Sequence, residues 1–387
     1  MLNLTDTGLT VFIAVIMVIT GALNTLIAKW TDRLKSAGAP FEHPFFQANC
    51  MFVGEVGCGI VFAIIYYYQK RKNQAPVLVK FNPFLFALPA VCDITGTSLQ
   101  YIGLNLTTAS SYQMLRGSVI IFTGLLSMLC LKMHLAGFRW LGMILVTLGL
   151  AVIGLCDMLE SGTKENGEEI IFGDMLIVGS QILHAVQMVL EQSILQKYDV
   201  PPLLAVGLEG TFGMLVLSSL LVPMYYIQVP KTFSHNPEQR MEDVFFAFRQ
   251  IREQPLIAVG LSAMIISIAF FNFSAVTTTK RLSATSRMVL DSVRTLIIWM
   301  VSIPLFGEKF IPLQILGFLS LILGMFVYND VFIGPKIREK VLPNLRESGR
   351  TTFCVNFWGA NNPNIEEEDE LLIVEDETLA GSRHNPA

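Results

Sequence analysis

The chain is poor in charged residues and in the residue patterns that catalysis and metal binding require. Only 15% of its 387 residues are charged and five are histidines, whereas typical globular domains carry about 25% charged residues. It contains no metal-ligand spacing, no Gly-rich phosphate loop and no nucleophile elbow. The sequence therefore predicts no enzyme, no bound metal and no cofactor.

A disulfide framework is not indicated either. None of the six cysteines stands in CxxC spacing, and most lie inside apolar stretches. They are Cys50, Cys58, Cys92, Cys130, Cys156 and Cys354. This pattern is typical of small hydrophobic core residues.

A surplus of positive charge, which binding to nucleic acid would require, is also missing. The formal net charge is −4, and residues 334–387 account for all of it with ten acidic and six basic residues. We predict a neutral body, no nucleic-acid partner, and a disordered acidic cytosolic tail over 334–387.

What the chain has in excess is apolar residues, which make up 52% of it and give a mean hydropathy of +0.55. They are concentrated in ten windows of about 20 residues, each long enough to cross about 30 Å of hydrocarbon as a helix. The windows are 8–28, 46–68, 83–104, 109–131, 138–157, 171–194, 203–227, 255–275, 282–306 and 311–333. The sequence thus predicts an all-α, polytopic membrane protein with ten transmembrane helices in a lipid bilayer.

The orientation of these helices follows from the placement of Lys and Arg. These residues are more numerous in the connections that are cytosolic if the chain starts inside, chiefly at 70–72 and 336–340. The positive-inside rule therefore predicts two cytosolic termini. No positive charge precedes the first window, which favours a retained helix over the alternative, a cleaved signal peptide. The long connection 228–254 is then non-cytosolic and holds either an amphipathic surface helix starting near residue 236 or a lid on the bundle.

The second half of the chain restates the first. At a constant offset of 175 residues, the aligned pairs include Gly142 with Gly317 and Gly149 with Gly324. We predict two five-helix repeats, 1–157 and 171–333, which insert with opposite orientations because each has an odd number of spans. Inverted repeats are typical of secondary transporters whose substrate site lies near mid-membrane between the copies. Chance similarity between apolar helices is the alternative.

Ionisable side chains inside the windows carry the functional prediction, because each costs about 2.5–3.5 kcal/mol to insert unless it is paired or faces water. Steps of four and three residues place Arg287, Asp291 and Arg294 on one face of the ninth helix. We predict a cavity lined by the first, third, fourth, sixth, eighth and ninth helices. The candidate substrate-binding residues are Arg116, Arg294, Asp93, Asp291 and Gln113.

Arg116 and Asp291 occupy equivalent positions in the two repeats and have opposite charges. Such residues could approach each other near the pseudo-twofold axis, so we predict a contact between them. One interpretation is that these ion pairs only neutralise each other within the bundle. The other is that Arg116 and Arg294 hold an anionic group bidentately, while Asp93 and Asp291 orient it and gate the site.

Glu55, His184 and Glu209 are the candidate residues for coupling transport to protons. His184 is the one histidine inside a window and its side chain titrates near neutral pH. A glutamate buried in the membrane is able to take up a proton. For all three, a structural hydrogen bond between helices is the alternative.

Five stretches of the chain point to a known family. They are DITGTS at 93–98, QMLRG at 113–117, IIFTG at 120–124, LVPMYYI at 221–227 and MVLDS at 288–292. In these the chain resembles solute carrier family 35, the nucleotide-sugar-transporter-like group of the drug/metabolite transporter superfamily, and within it subfamily F. The resemblance implies a substrate carrier that works by alternating access in an intracellular membrane. It also implies a mitochondrial nucleotide translocator as one partner.

These features together predict a secondary transporter that moves a small, anionic organic solute, nucleotide-sugar-like or a related metabolite. The alternative is a non-transporting membrane scaffold or regulator that binds a partner membrane protein.

The acidic tail matches a sorting signal. Glu367 stands four residues before the pair Leu371 and Leu372, which resembles the acidic-dileucine motif that clathrin adaptors bind. An extended, charged tail presents two aliphatic side chains and an upstream acid to such a partner, although an acidic tail with two leucines also matches this loose pattern by chance. The motif predicts a lysosomal or late-endosomal membrane, with a mitochondrial membrane as the alternative.

Overall fold

A computed structural model of the chain describes residues 6–72, 79–107, 109–130, 137–161, 167–230, 236, 238–282, 284–306 and 312–328. The predicted all-α membrane class is confirmed, with one hairpin of two-residue strands, β1 (Lys35–Ser36) and β2 (Ala39–Pro40), as the addition. The tail 334–387, with Glu367, Leu371 and Leu372, lies outside the described residues.

Twelve α-helices and two short 3-10 helices make up the described structure. The α-helices are α1 (Asp6–Asp32), α2 (Pro44–Arg71), α3 (Ala87–Leu106), α4 (Ala109–Leu115), α5 (Val119–Cys130), α6 (Gly137–Ser161), α7 (Gly167–Tyr198), α8 (Pro202–Tyr226), α9 (Val244–Glu253), α10 (Pro255–Arg281), α11 (Ala284–Phe306) and α12 (Pro312–Tyr328). The 3-10 helices are Pro83–Phe86 and Arg116–Ser118. Four of the α-helices start with proline, whose missing N–H and fixed φ suit a first helical residue.

Five of these helices are long and apolar enough to cross a membrane. They are Gly8–Asp32, Pro44–Arg71, Ile170–Tyr198, Pro202–Tyr226 and Pro255–Arg281. Shorter apolar helical segments are Arg116–Cys130, Gly137–Val152 and Ile315–Tyr328. The fourth predicted window is divided into α4, a 3-10 turn and α5. The total of ten spans stays a prediction.

Glycines bring two pairs of helices into close contact. A Cβ added at Gly142 of α6 would lie 2.7 Å from the carbonyl oxygen of Gly324 in α12, and one at Gly149 would lie 2.6 Å from that of Gly317. In the repeat alignment Gly142 corresponds to Gly317 and Gly149 to Gly324. A twofold axis that exchanges the aligned residues therefore converts the Gly142–Gly324 contact into the Gly149–Gly317 contact. In the same way α3 packs on α7 and α1 on α10, and these two pairs are equivalent under the predicted repeat. The two inverted repeats stay a prediction.

The connection between α8 and α10 folds back onto the hairpin between α1 and α2. Its helix α9 begins at Val244, later than the predicted start near residue 236, because the side chain of Asp243 accepts a hydrogen bond from the Phe246 N–H at 2.9 Å. Ala247 and Gln250 are buried against the hairpin, whereas Phe245 and Phe248 are exposed. The segment thus has an apolar outer surface and also packs on the bundle, as the lid interpretation expects.

A buried polar network joins α9 to the α1–α2 hairpin. His43 Nδ1 lies 2.6 Å from Oε1 of Glu242, and His43 Nε2 lies 3.0 Å from Oε1 of Gln250. The other carboxyl oxygen of Glu242 accepts hydrogen bonds from the N–H groups of Phe45 and Phe46, at the start of α2. The Gln250 amide donates to backbone carbonyls of the hairpin, so its oxygen is the group that accepts from His43.

Candidate functional site

A cavity of about 320 Å³ lies at the centre of the helices. Its wall is formed by α1, α3, α4 with the following 3-10 turn, α7, α10 and α11, as the sequence predicts. It also includes α2 and α8, which the sequence analysis did not place in the wall.

The predicted site residues come together in this cavity. Those that line it are Arg116, Arg294, Asp93, Asp291, Glu55, His184 and Glu209. Gln113 belongs to α4, and its side chain lies outside the described part of the chain. Polar residues in a membrane avoid lipid by facing the interior of the bundle, which is why periodicity alone located them. Their roles stay predictions.

The charges of α11 form two ion pairs. Arg287 Nη1 lies 2.5 Å from Oε2 of Glu191 on α7, and Arg294 Nη2 lies 2.7 Å from Oδ1 of Asp291 one turn earlier on the same helix. The Arg287–Glu191 pair joins α11 to α7. In the sequence, Glu191 follows His184 and Gln187 at helical spacing, but that spacing alone does not reveal its partner on another helix.

The predicted contact between Arg116 and Asp291 is not among the ion pairs within 4 Å that the described residues form. Asp291 pairs with Arg294 instead. The two residues are three positions apart on the same helix, so they meet without a second helix having to come close. Arg116 lines the same cavity and lies 5.8 Å from the centre of the Tyr112 ring. Two arginines and one aspartate therefore share this part of the cavity.

The side chain of Arg294 is held in place by its apolar surroundings. Its aliphatic stem crosses α1 at Gly21, where an added Cβ would collide with Cδ of Arg294 and with the Phe271 ring. The guanidinium lies over that ring, 4.8 Å from its centre. The residue is 6% exposed, yet its Nε has no hydrogen-bond partner among the described residues. Gly21 and Phe271 were missed, because nothing in their sequence context marks them.

The opposite part of the cavity is acidic. Glu55 accepts a hydrogen bond from the Asn272 amide at 2.5 Å, and Glu209 accepts one from the Gln187 amide at 2.8 Å. Asp93 accepts from the Thr97 hydroxyl at 3.4 Å. Within the described residues, none of these three carboxyl groups has a Lys or Arg nitrogen within 4 Å.

His184 lies beside these acids. Its Nδ1 is 3.8 Å from Oδ1 of Asp93 and 3.4 Å from Oε1 of Gln187. Because the Gln187 amide donates to Glu209, its oxygen accepts from His184, and Nδ1 carries the proton of the neutral ring. The other ring nitrogen, Nε2, packs against Gly96 and has no hydrogen-bond partner among the described residues. This arrangement is compatible with both a proton relay and a packing role.

The two ends of the cavity differ. It extends to Asp32, the last residue of α1, and to Phe45 near the start of α2, which are at the predicted non-cytosolic face. At the predicted cytosolic face, a buried apolar cluster including Phe86 and Leu195 covers the helix ends. Lys280 Nζ lies there 2.6 Å from Oδ1 of Asp199, and this hydrogen bond, with the charge of Lys280, lowers the pKa of Asp199.

Apolar helices around a charged central cavity define the chain as a multi-pass membrane protein. A family model described as Solute carrier family 35 matches residues 8–230, which is more than half of the chain. The chain belongs to solute carrier family 35.

Individual relatives agree with this assignment. Solute carrier family 35 member F6 of Homo sapiens is 49% identical over 329 residues, which cover 83% of this chain and 88% of that protein. The protein of the same name from Rattus norvegicus is 48% identical over 83% of this chain and 88% of its own length. A UDP-galactose transporter of Schizosaccharomyces pombe is 28% identical over 120 residues, 29% of this chain and 34% of that protein. The predicted resemblance to subfamily F is confirmed.

Proposed function

We propose that this protein is a secondary transporter that moves a small organic solute with an anionic group across an intracellular membrane by alternating access. The observation that carries the proposal is the arrangement of Arg116, Asp291 and Arg294 in the central cavity, where two positive charges face one negative charge. A guanidinium binds carboxylate or phosphate groups bidentately. A scaffold that only docks a partner would not require these charges inside the membrane.

Alternating access is supported by the symmetry of the packing. The crossed contacts Gly142–Gly324 and Gly149–Gly317 fit two inverted repeats related by a twofold axis. Ten spans and two cytosolic termini belong to the same proposal. Carriers of this kind rock one repeat against the other around a central site. The cavity extends towards one face while an apolar cluster and the Lys280–Asp199 pair cover the other, as expected of one of the two end states.

We assign a role to each candidate residue from its place in the cavity or, for Gln113, in the sequence. Arg116 and Arg294 bind the anionic group, with Asp93, Asp291 and Gln113 as orienting and gating residues. Glu55, His184 and Glu209 couple the cycle to protons. The partial match to a transporter of UDP-galactose supports a nucleotide-sugar-like solute or a related metabolite.

Uptake by the purified protein in liposomes tests the proposal, with anionic solutes screened with and without a pH gradient. Arg116→Gln should reduce uptake roughly tenfold to a hundredfold, because a hydrogen bond to a charged group contributes about 1.5–3 kcal/mol. The matched control is Arg249→Gln, an arginine on the exposed face of α9, which should leave uptake unchanged. Absence of uptake for every solute class by folded protein would contradict transport and favour a scaffold.

We also propose that the tail addresses the protein to lysosomes or late endosomes through a clathrin adaptor. Changing Leu371 and Leu372 to Ala should move the protein from lysosomes to the cell surface, because the adaptor loses the two aliphatic side chains that it binds. Fluorescence microscopy of the tagged full-length chain measures this, with Leu379→Ala in the same tail as the control. A purely mitochondrial wild-type protein would contradict the sorting proposal and favour the mitochondrial alternative, including a nucleotide translocator as partner.

A further inference from the structure

The charges of the central cavity are separated along α11. Arg287 and Arg294 are seven residues apart, which corresponds to about 10 Å along a helix. At the Arg294 end lie Asp291 and Arg116, whereas Glu191 lies at the Arg287 end. Glu209 is hydrogen-bonded to Gln187, one turn from Glu191 on α7, so unpaired carboxyl groups lie towards the Arg287 end and the cavity has a basic end and an acidic end.

The basic end carries two positive charges and only one negative charge among the described residues. Asp291 pairs with Arg294, and within the described residues Arg116 has no carboxyl group within ion-pair distance. Arg294 also lacks an acceptor, because its buried Nε has no hydrogen-bond partner among the described residues. An anionic group of the solute would supply both the missing charge and the missing acceptor.

The acidic end, in the described part of the chain, lacks unpaired positive charge. Arg287 is occupied by Glu191. Among the residues that the structure describes, Glu55, Asp93 and Glu209 receive hydrogen bonds only from the neutral groups of Asn272, Thr97 and Gln187. In their ionised form, these three carboxyl groups have only acceptors left to satisfy.

We propose that the transported solute is a zwitterion, with a carboxylate or phosphate on Arg116 and Arg294 and a primary ammonium group on Glu55, Asp93 and Glu209. An ammonium group has three N–H donors and no acceptor, which matches an end lined by three carboxyl groups. A solute that is only anionic would place no counter-charge there. This inference rests on the proposed transport function and narrows the solute to a related metabolite, since a nucleotide sugar carries no ammonium group.

The spacing of Arg287 and Arg294 along α11 indicates how far apart the two charges of the solute lie. Since the ends are about 10 Å apart along α11, a simple α-amino acid, with adjacent carboxylate and ammonium groups, is too short to reach both. Amino acids with the amine at the far end of the chain, dipeptides and amino-sugar phosphates have the required reach.

A series of ω-amino acids tests the inference on the purified full-length protein. Binding of glycine, 4-aminobutyrate and 6-aminohexanoate is measured as a shift of thermal unfolding, and uptake of labelled 6-aminohexanoate is measured in liposomes. Butyrate and hexanoate lack the amine and are the matched anions, and glucose 6-phosphate presents hydroxyl donors instead of ammonium. We expect 6-aminohexanoate to bind at least about tenfold more tightly than hexanoate and than glycine.

Two variants separate the ends. Glu55→Gln should remove the preference for 6-aminohexanoate over hexanoate, whereas Arg116→Gln should weaken the binding of both; Arg249→Gln is the control. Equal binding of hexanoate or glucose 6-phosphate and 6-aminohexanoate by the unaltered protein would overturn the zwitterion proposal. If an amine-free anion is also taken up, the transport proposal survives that result, and only a failure of all uptake counts against both.

Discussion

Replacing Arg287 with Gln is expected to abolish transport and to lower the thermal stability of the protein. The change leaves Glu191, which is 2% exposed, as a buried carboxylate without its ion-pair partner and removes the link between α7 and α11. Breaking a buried ion pair by removing one partner costs about 3–5 kcal/mol. Thermal unfolding of the purified protein in detergent measures the loss.

The double change Arg287→Gln with Glu191→Gln provides the decisive comparison. It removes both charges, so its stability should exceed that expected from the sum of the single changes, as residues in direct contact are not additive. The control Arg249→Gln disrupts an exposed pair with Glu253 and should change stability by no more than about 1 kcal/mol. Full additivity of the two single changes would show that the pair is not formed.

The apolar windows indicated the all-α membrane class, and the ionisable residues inside them indicated a charged subset of the residues that line the cavity. A charged side chain in a membrane helix must face the bundle interior, so spacing on one helix indicates the direction of the side chain. Arg287, Asp291 and Arg294 were placed on one face for this reason, and all three line the cavity.

Contacts between helices were harder to predict. The equivalence of Arg116 and Asp291 in the repeat suggested a contact, but symmetry indicates only proximity, and a partner three residues away on the same helix takes the carboxylate. The role of Gly21 depends on the stem of Arg294 crossing α1 at that residue. A glycine in an apolar helix has no sequence signal for such a crossing.

The hydrogen-bond network between α9 and the α1–α2 hairpin was equally hard to predict from the sequence. His43 and Glu242 are 199 residues apart in sequence, and each stands in a connection outside the apolar windows. Only the folding of the α8–α10 connection onto the α1–α2 hairpin brings them together. Because both side chains are buried, we expect this network to stabilise the predicted non-cytosolic face of the protein.

Replacing Glu242 with Ala is expected to detach this cap and to destabilise the protein by about 3–5 kcal/mol, because each buried donor left without an acceptor costs about 1–3 kcal/mol. The carboxyl group serves His43 with one oxygen and the N–H groups of Phe45 and Phe46 with the other, so its loss leaves three buried donors without an acceptor. Thermal unfolding measures the loss of stability. Limited trypsin cleavage in 228–254 reports detachment, which should become much faster.

Glu238→Ala is the matched control, because Glu238 lies in the same connection and its pair with Arg240 is exposed on the glutamate side. An exposed pair contributes about 0–1 kcal/mol, so this variant should unfold and be cleaved like the unaltered protein. Glu242→Gln retains one accepting oxygen and should be intermediate, since it can serve either the ring or the start of α2 but not both. Equal stability and equal cleavage of the Glu242→Ala and Glu238→Ala proteins would show that the network does not hold the cap.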